Sequence, residues 1–139
     1  MRQIFQQSGT REVAALLVGL AVGIAAMEAL LAAANRLGEF GDIDQLIFKG
    51  AGLPGTASLV FFTGWGLAGA LGSVIATAIS GSRTTGYVLG ALLMAPTLVL
   101  GTLSGMPGAQ VSALTITPLV CAAAGAWAAG WTRDRRLRG

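Results

Sequence analysis

Long apolar stretches and short polar breaks alternate along this chain, and their lengths fix its fold class. The first apolar run covers about residues 13–35 and is interrupted only by Glu28. Three further runs follow over residues 57–79, 85–103 and 111–131. At 1.5 Å rise per residue, about 20 apolar residues cross the ~30 Å hydrocarbon core of a bilayer, so each run predicts one transmembrane helix. The breaks carry turn chemistry. Gly38 suits the left-handed position after a helix, Leu53-Pro54-Gly55 is a helix-start signal, and short segments at 81–85, opened by Gly81, and at 104–108, with Gly105, Pro107 and Gly108, turn the chain. The first run ends near Ala32-Ala33-Ala34, a small-residue stretch of the kind cleaved after a secretion signal, but it exceeds the usual length of roughly 7–15 residues and is read as a span. The expectation is an all-α, polytopic membrane protein: one transmembrane domain over residues 1–139, built as a four-helix bundle.

Charge adds direction. Arg2, Arg11, Arg83, Arg133, Arg135, Arg136 and Arg138 fall on one side of such a bundle, and only Arg36 and Lys49 on the other, beside Glu39, Asp42 and Asp44. Seven against two is a strong positive-inside bias. It predicts both termini and the tail 132–139 in the cytoplasm and the loop 36–56 in the periplasm of a bacterial inner membrane. Trp127 and Trp131 close the fourth span as an interfacial aromatic pair. In the loop, Ile43, Leu46 and Ile47 stand at i, i+3 and i+4, which predicts one or two interfacial helical turns capped by Asp42. Asp42 and Asp44 match the opening of a calcium loop, but its remaining ligands and closing glutamate are missing.

Composition agrees with the membrane class and narrows the chemistry. The 139 residues are 54% hydrophobic and 11% charged, against about a quarter charged in soluble domains. With no histidine, one cysteine (Cys121) and one lysine placed in a loop, the chain offers no bis-histidine haem site, no His-based zinc site, no Ser-His nucleophile and no internal disulfide. No enzyme activity, metal or cofactor is expected. The basic residues lie at membrane edges, which fits an orientation signal better than a face laid along nucleic acid.

Glycine, 21 residues of 139, points to close helix packing. In the second span Gly66, Gly69, Ala70, Gly72, Ser73, Ala76 and Thr77 share one side, and Leu67, Leu71, Val74, Ile75 and Ile79 the other, so the small side is expected against other helices and the branched side against lipid. Gly19-xxx-Gly23 and Gly86-xxx-Gly90 offer matching flat surfaces, read first as intramolecular packing faces and second as a dimer face.

Glu28 is the one residue that is expensive to keep in the bilayer, at up to about 3 kcal/mol for a carboxylate at the centre. Counting from the span ends puts Thr63 and Trp65, Pro96 and Thr97, and Thr117 and Pro118 at comparable depth. Each proline frees a carbonyl four residues earlier, at Leu92 and Leu114. Glu28, Thr63, Trp65, Pro96, Thr97, Thr117 and Pro118 are therefore expected to form one polar layer in the outer half of the bundle. In that layer Glu28 is either a protonated, hydrogen-bonded strut or the lining of a cavity for a proton, a cation or a partner subunit.

The pattern of Gly19, Gly23 and Glu28 in a first span, Trp65, Gly69, Ala70 and Gly72 in a second, and a short arginine loop before two more apolar spans resembles a loose group of small four-span bacterial inner-membrane proteins with no assigned activity. Small multidrug resistance transporters also have four spans and an acid in the first. They are shorter, and their dual-topology members lack this charge bias. The expected function is non-enzymatic: an accessory subunit or small homo-oligomer acting through helix contacts in the lipid bilayer. The alternatives are a small transporter or channel using Glu28, and a membrane-embedded immunity or pore-forming factor.

Orientation is testable with single cysteines in a Cys121→Ala background. An impermeant maleimide applied to intact spheroplasts is expected to label Gln45→Cys and to leave Ser8→Cys and Ser82→Cys unlabelled; the reverse pattern would overturn the predicted sidedness.

Overall fold

The computed structural model describes residues 2–36 and 55–136, with side chains over 9–36 and 58–135. Among these residues there are four helices: α1 (Arg2–Arg36), α2 (Gly55–Ser80), α3 (Arg83–Leu103) and α4 (Gly108–Arg136). Each contains a segment long and apolar enough to cross a membrane. Two helices outrun the expected spans: α1 begins well before residue 13 and α4 continues past residue 131. Hydropathy marks the part of a helix that sits in hydrocarbon. The polar flanks stay helical because they contain no proline and many unbranched helix formers such as Gln and Arg. The expected interfacial turns over 42–49 and the Gly38 cap lie outside the described residues.

The two short connections use the turn chemistry written in them. Gly81 takes a φ of 76° after Ser80, and its N–H donates to Thr77 O at 2.8 Å. Ser80 Oγ then accepts from the Ser82 N–H at 3.1 Å and donates to Ser82 O at 3.2 Å, closing the turn before α3. Gly105, φ 63°, does the same work after α3. The Pro107 carbonyl accepts the N–H groups of Gln110 and Val111 and so starts α4. Glycine occupies both left-handed positions because it has no Cβ to clash there.

Packing follows the small residues. The central helix is α2, which touches all three others, whereas α1 docks chiefly on α2. Half of the membrane-depth window of α2 is buried, against 22% of that of α1. On the α1–α2 seam Gly19 meets Gly72, Gly23 meets Ala68 and Met27 meets Gly64. A Cβ on Gly23 would stand 2.5 Å from Ala68 O, and one on Gly72 would stand 2.7 Å from Gly19 O, closer than real methyl groups come. On the α2–α4 seam Gly69 lies against the Pro118 carbonyl and Gly125 against Ala70 O and Ser73 Oγ. Gly86 and Gly90 of α3 pack on Ala126 and Ala122 of α4. Both GxxxG pairs thus serve the bundle itself. The small side of α2 is buried as expected, with Ala70 half-buried at its edge. The branched side is only partly open: Leu71 is exposed, while Leu67, Val74, Ile75 and Ile79 are half-buried because the central helix has neighbours on three sides.

Replacing Gly69 or Gly72 with Leu is expected to lower the melting temperature in detergent, at a cost of about 1–3 kcal/mol or more from overpacking. Leu71→Val should stay within about 0.5 kcal/mol of wild type. Thermal unfolding followed by circular dichroism reads both, and equal tolerance would mean that the seam is looser than its contacts imply.

Candidate functional site

The seam contacts set a common scale of depth. Met27 lies beside Gly64, and Thr117 and Cys121 lie beside Gly66, while Val111 packs on Gly101. By this register Glu28, Thr63 and Thr97 fall at about one level of the bundle, as the spacing along the chain predicts. They do not face one another.

Met27 is buried on the α1–α2 seam at 7% exposure, and Glu28, one residue further round the helix, is exposed. Its neighbours on the outer surface are Ile24, Ala25, Ala29, Ala32 and Ala33, all exposed, with exposed Arg36 two turns on. Among the described residues Glu28 has no hydrogen-bond or ion-pair partner. The expectation of a strut hydrogen-bonded inside the bundle is thereby corrected. The signal was present in the sequence: at 100° per residue, Glu28 lies about 180° from Gly19 and about 140° from Gly23. Once those glycines face α2, Glu28 has to point away from it.

The rest of the expected layer divides between core and surface. Trp65 is buried at 4% exposure, edge-on to Phe61 with ring centroids 6.3 Å apart. Its Nε1 has no acceptor among the described residues. Thr97 is fully buried, and its hydroxyl donates to Met94 O at 2.8 Å and Leu93 O at 3.1 Å. Pro118 is fully buried and Pro96 exposed. Thr63 and Thr117 donate to Leu59 O and Ala113 O, each at 2.7 Å. Thr63, Thr97 and Thr117 therefore each spend their proton within their own helix, and the acceptors are not the carbonyls of Leu92 or Leu114 that the prolines free. No shared polar network forms among these residues.

Thr63 and Thr117 are nevertheless brought together, on a shallow groove of about 440 Å³ between α2 and α4. Phe62, Gly66, Leu67, Ala70 and Cys121 complete it. With both hydroxyls turned inward, its lining is almost wholly apolar. The groove was not foreseen from sequence; its trace there is Gly66, a small floor opposite Thr117 and Cys121. A second hollow, about 470 Å³, lies on the outside of α1 one turn from Glu28 and is lined, among the described residues, by Ala29, Ala32, Ala33 and Arg36. No group of acidic, histidine or cysteine side chains suited to a metal occurs among the described residues.

Four apolar helices, packed glycine against backbone, place the chain among multi-pass helical membrane proteins. It matches no protein-family model, no curated protein and no solved structure.

The outward position of Glu28 makes a prediction opposite to that of an internal strut. In the isolated chain, Glu28→Ala and Glu28→Gln are both expected to lie within about 0.5 kcal/mol of wild type by thermal unfolding, since no bundle partner is lost. A loss of about 1–3 kcal/mol in Glu28→Ala that Glu28→Gln restores would reveal a partner inside the chain.

Proposed function

We propose that the chain is a non-enzymatic protein of a bacterial inner membrane, with both termini cytoplasmic, that acts as an accessory subunit through helix–helix contacts made by the outer face of α1. The observation that carries this reading is Glu28, exposed and unpartnered among the described residues on an alanine-lined face of a membrane-depth helix. Facing lipid, the carboxyl group would bear a cost of up to about 3 kcal/mol; facing a hydrogen-bond donor or cation on another helix, it would be relieved of that cost. Alanines at 25, 29, 32 and 33 let a second backbone come close, as small residues do wherever membrane helices meet. A second copy supports this contact less well than a different chain. All nine basic residues of this protein lie outside its apolar runs, so a twin has no lysine or arginine to offer at the depth of Glu28.

The alternative, a transporter or channel carrying a proton or cation on Glu28, requires water to reach that residue from inside the bundle. Glu28 points the other way, which favours the partner reading.

Photo-crosslinking in cells discriminates. With p-benzoylphenylalanine placed at Ala25 or Ala29, a single adduct larger than a dimer of this chain, or of unrelated mass, is expected. It should be absent when the probe replaces Leu98, a lipid-exposed residue of α3, and lost in Glu28→Leu. An adduct of twice the chain mass would instead indicate self-association, and no protein adduct from either α1 position would remove the reading.

A further inference from the structure

One end of the bundle gathers arginines that helix packing does not need. Arg11 of α1 donates through Nε to Ile79 O at 2.8 Å. Arg133 of α4 donates through Nη1 to Gly81 O and packs along Gly81 itself. Arg83, the first residue of α3, pairs through Nη2 with Asp134 Oδ2 at 2.6 Å. The 79–83 turn, formed by the end of α2, its two-residue connection and the start of α3, thus takes one guanidinium from α1 and one from α4, while Arg83 reaches from it across to Asp134 of α4. One carboxylate, Asp134, is paired there. Glu12, next to Arg11 on α1, is exposed and forms no ion pair among the described residues. Arg135 is engaged elsewhere, with its guanidinium 3.6 Å from the centre of the Trp131 ring.

Repulsion among like charges opposes this convergence, and the carbonyls that anchor it supply only partial negative charge. The C-terminus of α2 offers about half an elementary charge, shared among its last free carbonyls. Three guanidiniums against two carboxylates, Asp134 and Glu12, leave this end with excess positive charge. Each guanidinium has five N–H donors in a planar fork, and the contacts above use one each from Arg11, Arg133 and Arg83. The unspent donors match an oxyanion with several acceptor oxygens, for which arginine forks are suited geometrically as well as electrically. Depth identifies the oxyanion: Trp127 and Trp131, stacked and exposed on α4 close by, are the residues that mark the headgroup level of a bilayer. Phosphate is the anion concentrated at that level.

We propose that the 79–83 turn, with Arg11, Arg83 and Arg133, is a binding site for the phosphate group of an anionic phospholipid. The proposal rests on the membrane-spanning reading and is independent of the partner assigned to Glu28. Anchoring Arg11 and Arg133 on backbone carbonyls holds the forks in place before the lipid arrives, so less side-chain freedom is lost on binding.

The test uses the full chain purified in a neutral detergent, with phosphatidylglycerol, phosphatidylcholine or inorganic phosphate added at equal concentration. Native mass spectrometry reads lipid retained and thermal unfolding reads stabilisation. Phosphatidylglycerol is expected to be retained about tenfold over phosphatidylcholine, a difference of about 1.4 kcal/mol, and to raise the melting temperature. The double variant Arg11→Gln, Arg133→Gln should lose this preference, and Arg135→Gln, altered away from the turn, should keep it. Should the double variant fail to fold, Arg11→Lys with Arg133→Lys keeps the charge and removes the forks, and a several-fold weaker retention is expected. Equal retention of the two lipids, a preference unchanged in both double variants, or an equal effect of inorganic phosphate alone would overturn the site. Recovery of the chain in the soluble fraction without detergent would overturn the membrane reading beneath it.

Discussion

Backbone meeting backbone at glycine is the contact on which this bundle depends. Lipid tails are as apolar as leucine, so helices in a bilayer gain little from hiding hydrophobic surface and have to associate through close packing. Here α2 presents Gly64, Gly66, Gly69 and Gly72 to α1 and α4, and its neighbours answer with Gly19, Gly23 and Gly125. At Gly23 and Gly72 the space a methyl group would need is already filled by a carbonyl oxygen of the facing helix. A seam made this way fixes rotation as well as distance. Once Gly19 and Gly23 must face α2, every other residue of α1 has its direction assigned, Glu28 included.

The same rule explains where polar groups sit. Ser73, Thr77, Thr85 and Thr97 are buried, and they are small enough to occupy seam positions. Ser73 and Thr97 return their protons to carbonyls of their own helices, to Ala70 O and to Leu93 O and Met94 O. Membrane helices commonly satisfy hydroxyls in this manner, which leaves few of them free for interhelical chemistry. The larger polar groups, Glu28 and the arginines, cannot fit a glycine seam and are sent to the outside or the ends.

Much of this was legible in the sequence, for identifiable reasons. Four apolar runs gave four helices, because a bilayer demands length and hydropathy together. The small face of α2 was legible because residue size is what the seam selects. The polar layer was not, because equal depth along a helix says nothing of direction around it. Thr63 and Thr97 share a level with Glu28 and face elsewhere. The full helix lengths were not legible in hydropathy either, since Arg11, Arg133 and Arg135 continue helices beyond the hydrophobic boundary.

The membrane-depth segment of the first helix is both the most apolar of the four and the least buried. The later three carry seam glycines and hydroxyls that lower their affinity for lipid. Of the four helices, α1 therefore depends least on its neighbours to be at home in hydrocarbon. The less apolar helices depend more on their small-residue faces, which meet α1 and one another. The bundle in this sense divides its labour: the self-sufficient helix offers its glycine seam to the one that needs it.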